Sequence, residues 1–401
     1  MAKSYASPLL RKHYPGLDGL RGLAALLVFL HHYLGYPMGR LGGDHLLYWG
    51  WTGVELFFVL SGFLITGILY DSLGNSGYFR TFYLRRAFRI FPLYYGVWLA
   101  LALLTPILHL VWRHEQIAWL FYLGNYFREA RMLVILRSPT SAPFQMLIIS
   151  HFWSLCVEEQ FYLAWPLVLF VVRKRNHLMA LSLAAIVAST LVRFLVVARH
   201  ADPSQTDWVY TFTPLRLDGL MMGAWLALML RAPTSKNNER GLMLLKQLLP
   251  LVGVLSATIV VACWLRNPSS AFHAPMVGWP WLKTFGYTLI DLACLALVYT
   301  ALDPSSVVAR YLKNSAFSEL GKVSYGFYVF HMLLLNTQQH WNSEGRFENF
   351  QVSLIIGQFL LTYLAAKLSF HYVESPFLRL KEKFASSPVS TQPYPPPDPA
   401  R

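Results

Sequence analysis

The sequence predicts an all-α integral membrane protein of about ten transmembrane helices, with both termini in the cytoplasm. Three observations carry this. Apolar residues recur in repeated runs of about 18 to 22, the length that spans a bilayer core as a helix. Only 13% of the 401 residues are charged while 55% are hydrophobic, against about a quarter charged in soluble domains. Lys and Arg gather in alternate short connections between the apolar runs, as at Arg80 to Arg89, Arg173-Lys174-Arg175 and Arg379 to Lys383. That alternation orients a membrane protein with its positive connections inside.

The spans fall at 17–36, 51–70, 90–110, 151–172, 177–198, 212–230, 247–265, 281–302, 322–338 and 351–372. An even number returns the carboxyl terminus to the amino-terminal side. Residues 1–16 then form a polar, basic cytoplasmic tail, 17–380 a single membrane domain, and 381–401 a Pro- and Ser-rich cytoplasmic tail expected to be disordered. No cleavable leader is expected, because the first apolar run reads as a retained helix. Between 111 and 150, Ile117 to Phe127 is apolar and aromatic but too short to cross, so it reads as interfacial or re-entrant. Counting it as a span would move Arg173-Lys174-Arg175 outside, against the charge bias.

The net charge of +14 does not point to nucleic acid, since the basic residues lie in loops between spans and not on one soluble surface. Cys156, Cys263 and Cys294 all fall within apolar runs, which speaks against a disulfide framework or a thiolate metal site. No HExxH or comparable close spacing suggests zinc, and no metal is expected.

Function is signalled by residues that a membrane should exclude. An ionisable group at mid-span costs about 2.5–3.5 kcal/mol on insertion scales unless paired or wetted. Asp18, Arg21, His31 and His32 lie in the first span, Glu55 in the second, and His151, Glu158 and Glu159 in the fourth. Arg216 and Asp218 lie in the sixth and His331 in the ninth, with His371 and Glu374 near the end of the tenth. So many call for a polar cavity within the bundle. In YFRTFYLRRAFRIFPLYY, Arg85 and Arg89 are four apart and Arg86 and Arg89 three apart, so each pair shares a helix face. Guanidinium forks there suit phosphates, although arginines at a cytoplasmic mouth also serve topology alone. At a rise of 1.5 Å per residue, His32 stands roughly 15–20 Å along the helix from Arg21. An imidazole in a span is either a hydrogen-bonded packing group or a general base near neutral pH. A carboxylate such as Glu55 could orient it in the manner of a catalytic triad. These residues alone suggest catalysis or proton-coupled transport without choosing between them. Ser61 and Ser154 lack a GxSxG elbow and read as helix-packing groups, as do Gly16, Gly19 and Gly22.

The motifs decide further. PGLDGLRGLAALLVFLHHY is followed by GVELFFVLSGFLIT, FYLRRAFRIFPLYY, HFWSLCVEEQFYLAWP, PLRLDGLMMGAWLA, GKVSYGFYVFH and YVESPF. In that order, from residue 15 to about 380, they resemble the acyltransferase 3 family of membrane acyltransferases that modify surface glycans. The resemblance implies ten spans, a catalytic His32, a required Arg21, and Arg86 and Arg89 assisting acyl-CoA. Glu158 matches a position on which the family depends. The chain ends soon after YVESPF, without the SGNH domain some members carry, which is expected to separate it from that fused subgroup.

The expectation is therefore transfer of an acyl group, by default acetyl, from acyl-CoA to a carbohydrate or glycolipid hydroxyl in the inner (plasma) membrane. His32 would be the base, oriented by Glu55 or Glu158, and Arg85, Arg86 and Arg89 would hold the phosphates. Arg21 or Arg216 would balance developing charge, and Asp218, His331 and Ser154 would bind substrate or serve as structural polar groups. The rival is a multi-pass exporter, which should carry inverted repeats or broken helices; neither is visible in the sequence.

Overall fold

The computed structural model describes residues 7–11, 13–34, 47–127, 132–135, 145–200, 203–266, 280–342 and 351–384. Most of the carboxyl-terminal tail expected at 381–401 lies outside the described residues, as does part of the amino-terminal one. The helices are α1 (Pro15–Leu34), α2 (Thr52–Ser72), α3 (Tyr78–Leu108), α4 (Ile117–Leu120), α5 (Trp153–Val172), α6 (Arg175–Arg199) and α7 (Leu217–Leu230). They continue as α8 (Lys236–Arg266), α9 (Tyr287–Leu302), α10 (Val307–Leu312), α11 (Ser315–Lys322), α12 (Ser324–Asn342), α13 (Gln351–Ser369) and α14 (Ser375–Phe384). Helices stand at all ten expected positions, and seven of the described helical segments are long and apolar enough to cross a membrane. α7 and the described part of α12 are apolar but shorter, and α1 carries Asp18, Arg21 and both histidines.

One element departs from an all-α fold. Residues 110–148 contain a small antiparallel sheet with strand order β1 (Leu110–Val111), β2 (Met132–Ile135), β3 (Gln145–Ile148). Leu110 pairs with Ile135, and Leu133 with Leu147. A four-residue apolar run has no period that separates a strand from a helical turn. The paired residues of β2 and β3 lie 10 to 16 positions apart, so the pairing is not legible locally. Ile117 to Phe127 does not span. It forms α4 and a short 3-10 turn, with Trp119 fully buried and its carbonyl accepting a 2.7 Å hydrogen bond from the Tyr94 hydroxyl.

α2 is the axis of the bundle. Its sequence is apolar all round, and 72% of its apolar window is buried, against 22% for α6 and for α8, which present Leu and Val to the surroundings. With lipid tails as apolar as leucine, helix association here depends on close packing. The sequence supplies it with glycines. A side-chain carbon at Gly62 of α2 would overlap the Leu220 carbonyl of α7, and one at Gly223 of α7 would overlap the Val59 carbonyl of α2. On α1, Gly16, Gly19 and Gly22 form a stripe against Ala301, Leu312 and Phe317, which belong to α9, α10 and α11. The first pair of contacts holds α7 against α2, and the stripe holds α1 against α9, α10 and α11; together they determine where the charges of α1 and α7 sit.

Two π-turns, Leu282–Gly286 before α9 and Phe370–Glu374 between α13 and α14, each contain a buried charge. Lys283 meets Asp207 at 2.8 Å, and Glu374 accepts a hydrogen bond from Ser369 at 3.2 Å.

Gly62→Ala and Gly223→Ala should each destabilise the protein by about 1–3 kcal/mol through overpacking. Thermal unfolding in detergent or nanodiscs measures this. Gly357→Ala, where no atom lies within 4 Å of the added carbon, should leave the transition in place or raise it.

Candidate active site

α2 divides the polar interior into two. Val54, Phe57, Phe58, Ser61, Ile65 and Ile68 follow one another at helical spacing along the wall of a cavity of about 210 Å³. Glu55, Val59 and Gly62 lie on the other side, toward α7.

On the α7 side is a buried ionic knot. Arg216, just before α7, is ion-paired with Glu55, and both side chains are fully buried. Arg193 of α6 donates to Asp218 at 2.6 Å and to the Thr288 hydroxyl at 2.6 Å, and also reaches the Leu215 carbonyl. Thr288 donates in turn to Asp218 at 2.9 Å. The Arg216 guanidinium lies 4.4 Å from the centre of the Tyr287 ring. Asp291 of α9, also fully buried, lies against Gly219. Three carboxyls and two guanidiniums thus tie α2, α6, α7 and α9 together. Sequence reasoning missed Arg193 and Asp291, although both are ionisable residues inside apolar runs and the same criterion finds them.

The cavity has a cationic end. Arg21 from α1 and Arg86 and Arg89 from α3 line it together, with Tyr162 and Glu158 from α5 and Tyr325 from α12. The Arg86 guanidinium stacks 3.7 Å from the centre of the Tyr162 ring and lies 3.8 Å from Glu159. Arg21 is 3.5 Å from Asp18. Glu158 accepts from Ser61 at 2.6 Å, and the Tyr162 hydroxyl lies 3.0 Å from both Glu158 and Ser61. Arg85, expected to join the phosphate group, is not among the residues lining this cavity; the i, i+3 pair Arg86 and Arg89 is.

At its other limit the cavity meets Ser154 and Tyr328, whose hydroxyls are 2.6 Å apart. Beyond the Tyr328 ring lie the histidines. Tyr328 is 5.3 Å from His331 and 5.7 Å from His151, centre to centre. His331 is 5.0 Å from His32 and 5.3 Å from His151. Nδ1 of His32 is 2.9 Å from the Val28 carbonyl and 3.3 Å from Nε2 of His331. Nδ1 of His331 lies 2.6 Å from the Tyr328 carbonyl, and Nε2 of His151 lies 3.1 Å from the Val329 carbonyl.

This geometry revises the expected orienting carboxylates. Glu55 is engaged by Arg216, and Glu158 is held by Ser61 and Tyr162; the partners of His32 are a main-chain carbonyl and another imidazole. Arg216 and Asp218 belong to the knot and do not line the cavity. Arg21, Arg86, Arg89, Glu158 and Ser154 do line it. His32 and His331 adjoin each other across helices almost 300 residues apart in the chain, together with His151, which sequence reasoning noted without assigning a role. Among the described residues no group of three or more His, Cys, Asp or Glu side chains is arranged to hold a metal ion.

The sequence profile of a family described as an acyltransferase domain matches residues 14–368. The chain is 30% identical over 382 residues to a Bacillus subtilis protein named "Putative peptidoglycan O-acetyltransferase YrhL". It is 27% identical over 378 residues to "O-acetyltransferase OatA" of Staphylococcus aureus. Each alignment covers 91% of this chain but only 55% and 57% of the relative, so the chain spans little more than half the length of these curated relatives. No solved structure matches.

Arg216→Leu should strand Glu55 without a counter-ion and cost about 3–5 kcal/mol, the usual effect of breaking a buried pair. The double replacement Glu55→Leu with Arg216→Leu should recover much of that loss. Thermal unfolding of the wild type, single and double variants forms the required cycle.

Proposed function

Because the chain belongs to the acyltransferase family, we propose that it is a membrane O-acetyltransferase that moves an acetyl group from acetyl-CoA to a hydroxyl of a carbohydrate or glycolipid. The unit doing this is residues 17–380, crossing the inner (plasma) membrane ten times with both tails cytoplasmic. The support for the chemistry is the cavity: three arginines at one end and, about 16 Å along α1 from Arg21, an imidazole cluster behind its far wall. The volume is below that of usual ligand pockets, about 300–1,000 Å³. It suits a narrow pantetheine arm with its thioester and leaves the nucleotide outside. Arg86, Arg89 and Arg21 would then meet phosphates where the arm enters, with guanidinium forks matched to phosphate oxygens.

In the reaction, the acceptor hydroxyl gives its proton to Nε2 of His32 as its oxygen attacks the thioester carbonyl carbon. The tetrahedral intermediate collapses with cleavage of the carbon–sulfur bond. The departing sulfur takes the proton from His32, which leaves acetylated acceptor, CoA thiol and neutral imidazole. Tyr328 and Ser154, between the cavity and the histidines, are the hydroxyls nearest the expected path of the thioester. Glu158, bound to Ser61 and Tyr162, keeps this wall in register and moderates the positive charge of the arginine end. A peptidoglycan-type glycan is an acceptor consistent with the naming of the Bacillus subtilis relative. Membrane lipid surrounds the protein; neither a metal nor nucleic acid has a part.

The test is transfer of labelled acetyl from acetyl-CoA to glycan acceptors by purified protein in nanodiscs. His32→Ala should lower kcat by about 10²–10⁴-fold, the range general-base catalysis supplies. Arg86→Ala with Arg89→Ala should raise KM for acetyl-CoA at least 10-fold, since every 1.4 kcal/mol of lost contact is about tenfold in affinity. Unchanged transfer by correctly folded His32→Ala protein would remove His32 from the mechanism. Unchanged KM in the arginine variant would reduce these residues to a topology signal.

A further inference from the structure

The hydrogen bonds of the histidine cluster determine which nitrogen of each ring carries the proton. A main-chain carbonyl only accepts, so a ring nitrogen bonded to one must be an N–H. Nδ1 of His331, 2.6 Å from the Tyr328 carbonyl, is therefore the protonated nitrogen, and in the neutral ring its Nε2 carries the lone pair. Nδ1 of His32, 2.9 Å from the Val28 carbonyl, is likewise an N–H, and it lies 3.3 Å from that lone pair. The two contacts agree: His32 donates through one hydrogen to Val28 and to His331. The lone pair of His32 is then on Nε2, on the opposite side of the ring. By the same rule Nε2 of His151 donates to the Val329 carbonyl, which leaves its own lone pair on Nδ1.

We infer that His331 is the positioning residue of His32, holding its Nδ1–H tautomer and aiming Nε2 as the base, the task a carboxylate performs in a catalytic triad. This rests on the reading of His32 as the base. His331 is 1% exposed and anchored through its own Nδ1, and His151 packs against it, so its lone pair is presented in a set direction. A neutral acceptor suits this place. A carboxylate here would be an unpaired charge inside the bundle, at a cost that an imidazole does not carry. When His32 takes the acceptor proton, the imidazolium strengthens its Nδ1–H bonds to Val28 and His331, so the cluster stabilises charge without a counter-ion. His331 touches neither donor nor acceptor and needs no proton transfer of its own.

The experiment compares His331→Leu, His331→Gln and His32→Ala with the wild type in nanodiscs, by kcat and KM for acetyl-CoA. Nitrogen-15 NMR of histidine-labelled protein reports the His32 tautomer. His331→Leu removes the acceptor and should lower kcat roughly 10–100-fold, short of the loss of the base itself, with KM little changed. Gln can accept near the position of Nε2 and should restore most of kcat. The His32 resonances should show protonated Nδ1 in the wild type and in His331→Gln, and a mixture of tautomers in His331→Leu. Wild-type kcat in His331→Leu, with His32→Ala inactive, would overturn the inference and leave the base intact. A stable His331→Gln as slow as His331→Leu would also overturn it, because acceptance would not then be what matters. Wild-type kcat in His32→Ala would instead overturn the reading of the base, and this inference with it.

Discussion

Burial of charge in a low-dielectric bundle is the constraint from which the rest of this structure follows. A guanidinium or carboxylate among hydrocarbon must be paired, and in the buried knot each pair is assembled from different helices. Glu55 can be accommodated on α2 because Arg216 reaches it from the start of α7, and Asp218 because Arg193 reaches it from α6. The glycine contacts between α2 and α7 make that reach possible by bringing the two backbones together. The knot and the glycines are one device: the close approach places the charges, and the charges specify which faces approach.

With α2 so held, its opposite face becomes a fixed wall. Ser61, on that wall, sits two turns along from Val54, and the hydroxyl anchors Glu158 of α5. α1, packed through its own glycine stripe, brings Arg21 to one end of the cavity and His32 to the histidine cluster at the other. The separation of arginines from imidazoles is therefore set by helix rise along a single rigid element, a firmer ruler than any loop. The arginine end is held by aromatic stacking and pairing, with Arg86 over Tyr162 and near Glu159 and Arg21 near Asp18, while Arg21, Arg86 and Arg89 still line the cavity.

The histidine cluster follows a different economy. Its rings are organised by main-chain carbonyls of α1 and α12, and no described carboxylate contacts His32, His151 or His331 by hydrogen bond or ion pair. Helical carbonyls near a polar side chain are fixed dipoles that cost no buried net charge. Neutral groups can thus be aligned where a charged triad would be expensive.

The sequence by itself determined the membrane class, the positions of helices and the residues worth suspecting. Those properties are local: hydrophobic run length, charge in loops and short motifs are all read within about twenty residues. It also identified Gly16, Gly19 and Gly22 as packing residues and Ile117 to Phe127 as too short to span. Only the tertiary structure decided the partners. Glu55 was a plausible orienting group for His32 until helix packing turned it toward Arg216. His331 was one polar residue among several until α12 laid it against α1. Arg85 and Arg86 are neighbours in the chain, yet only Arg86 lines the cavity. A residue's chemistry is written in its own side chain, but its partner depends on helix rotation and approach, which are set by contacts between segments hundreds of residues apart.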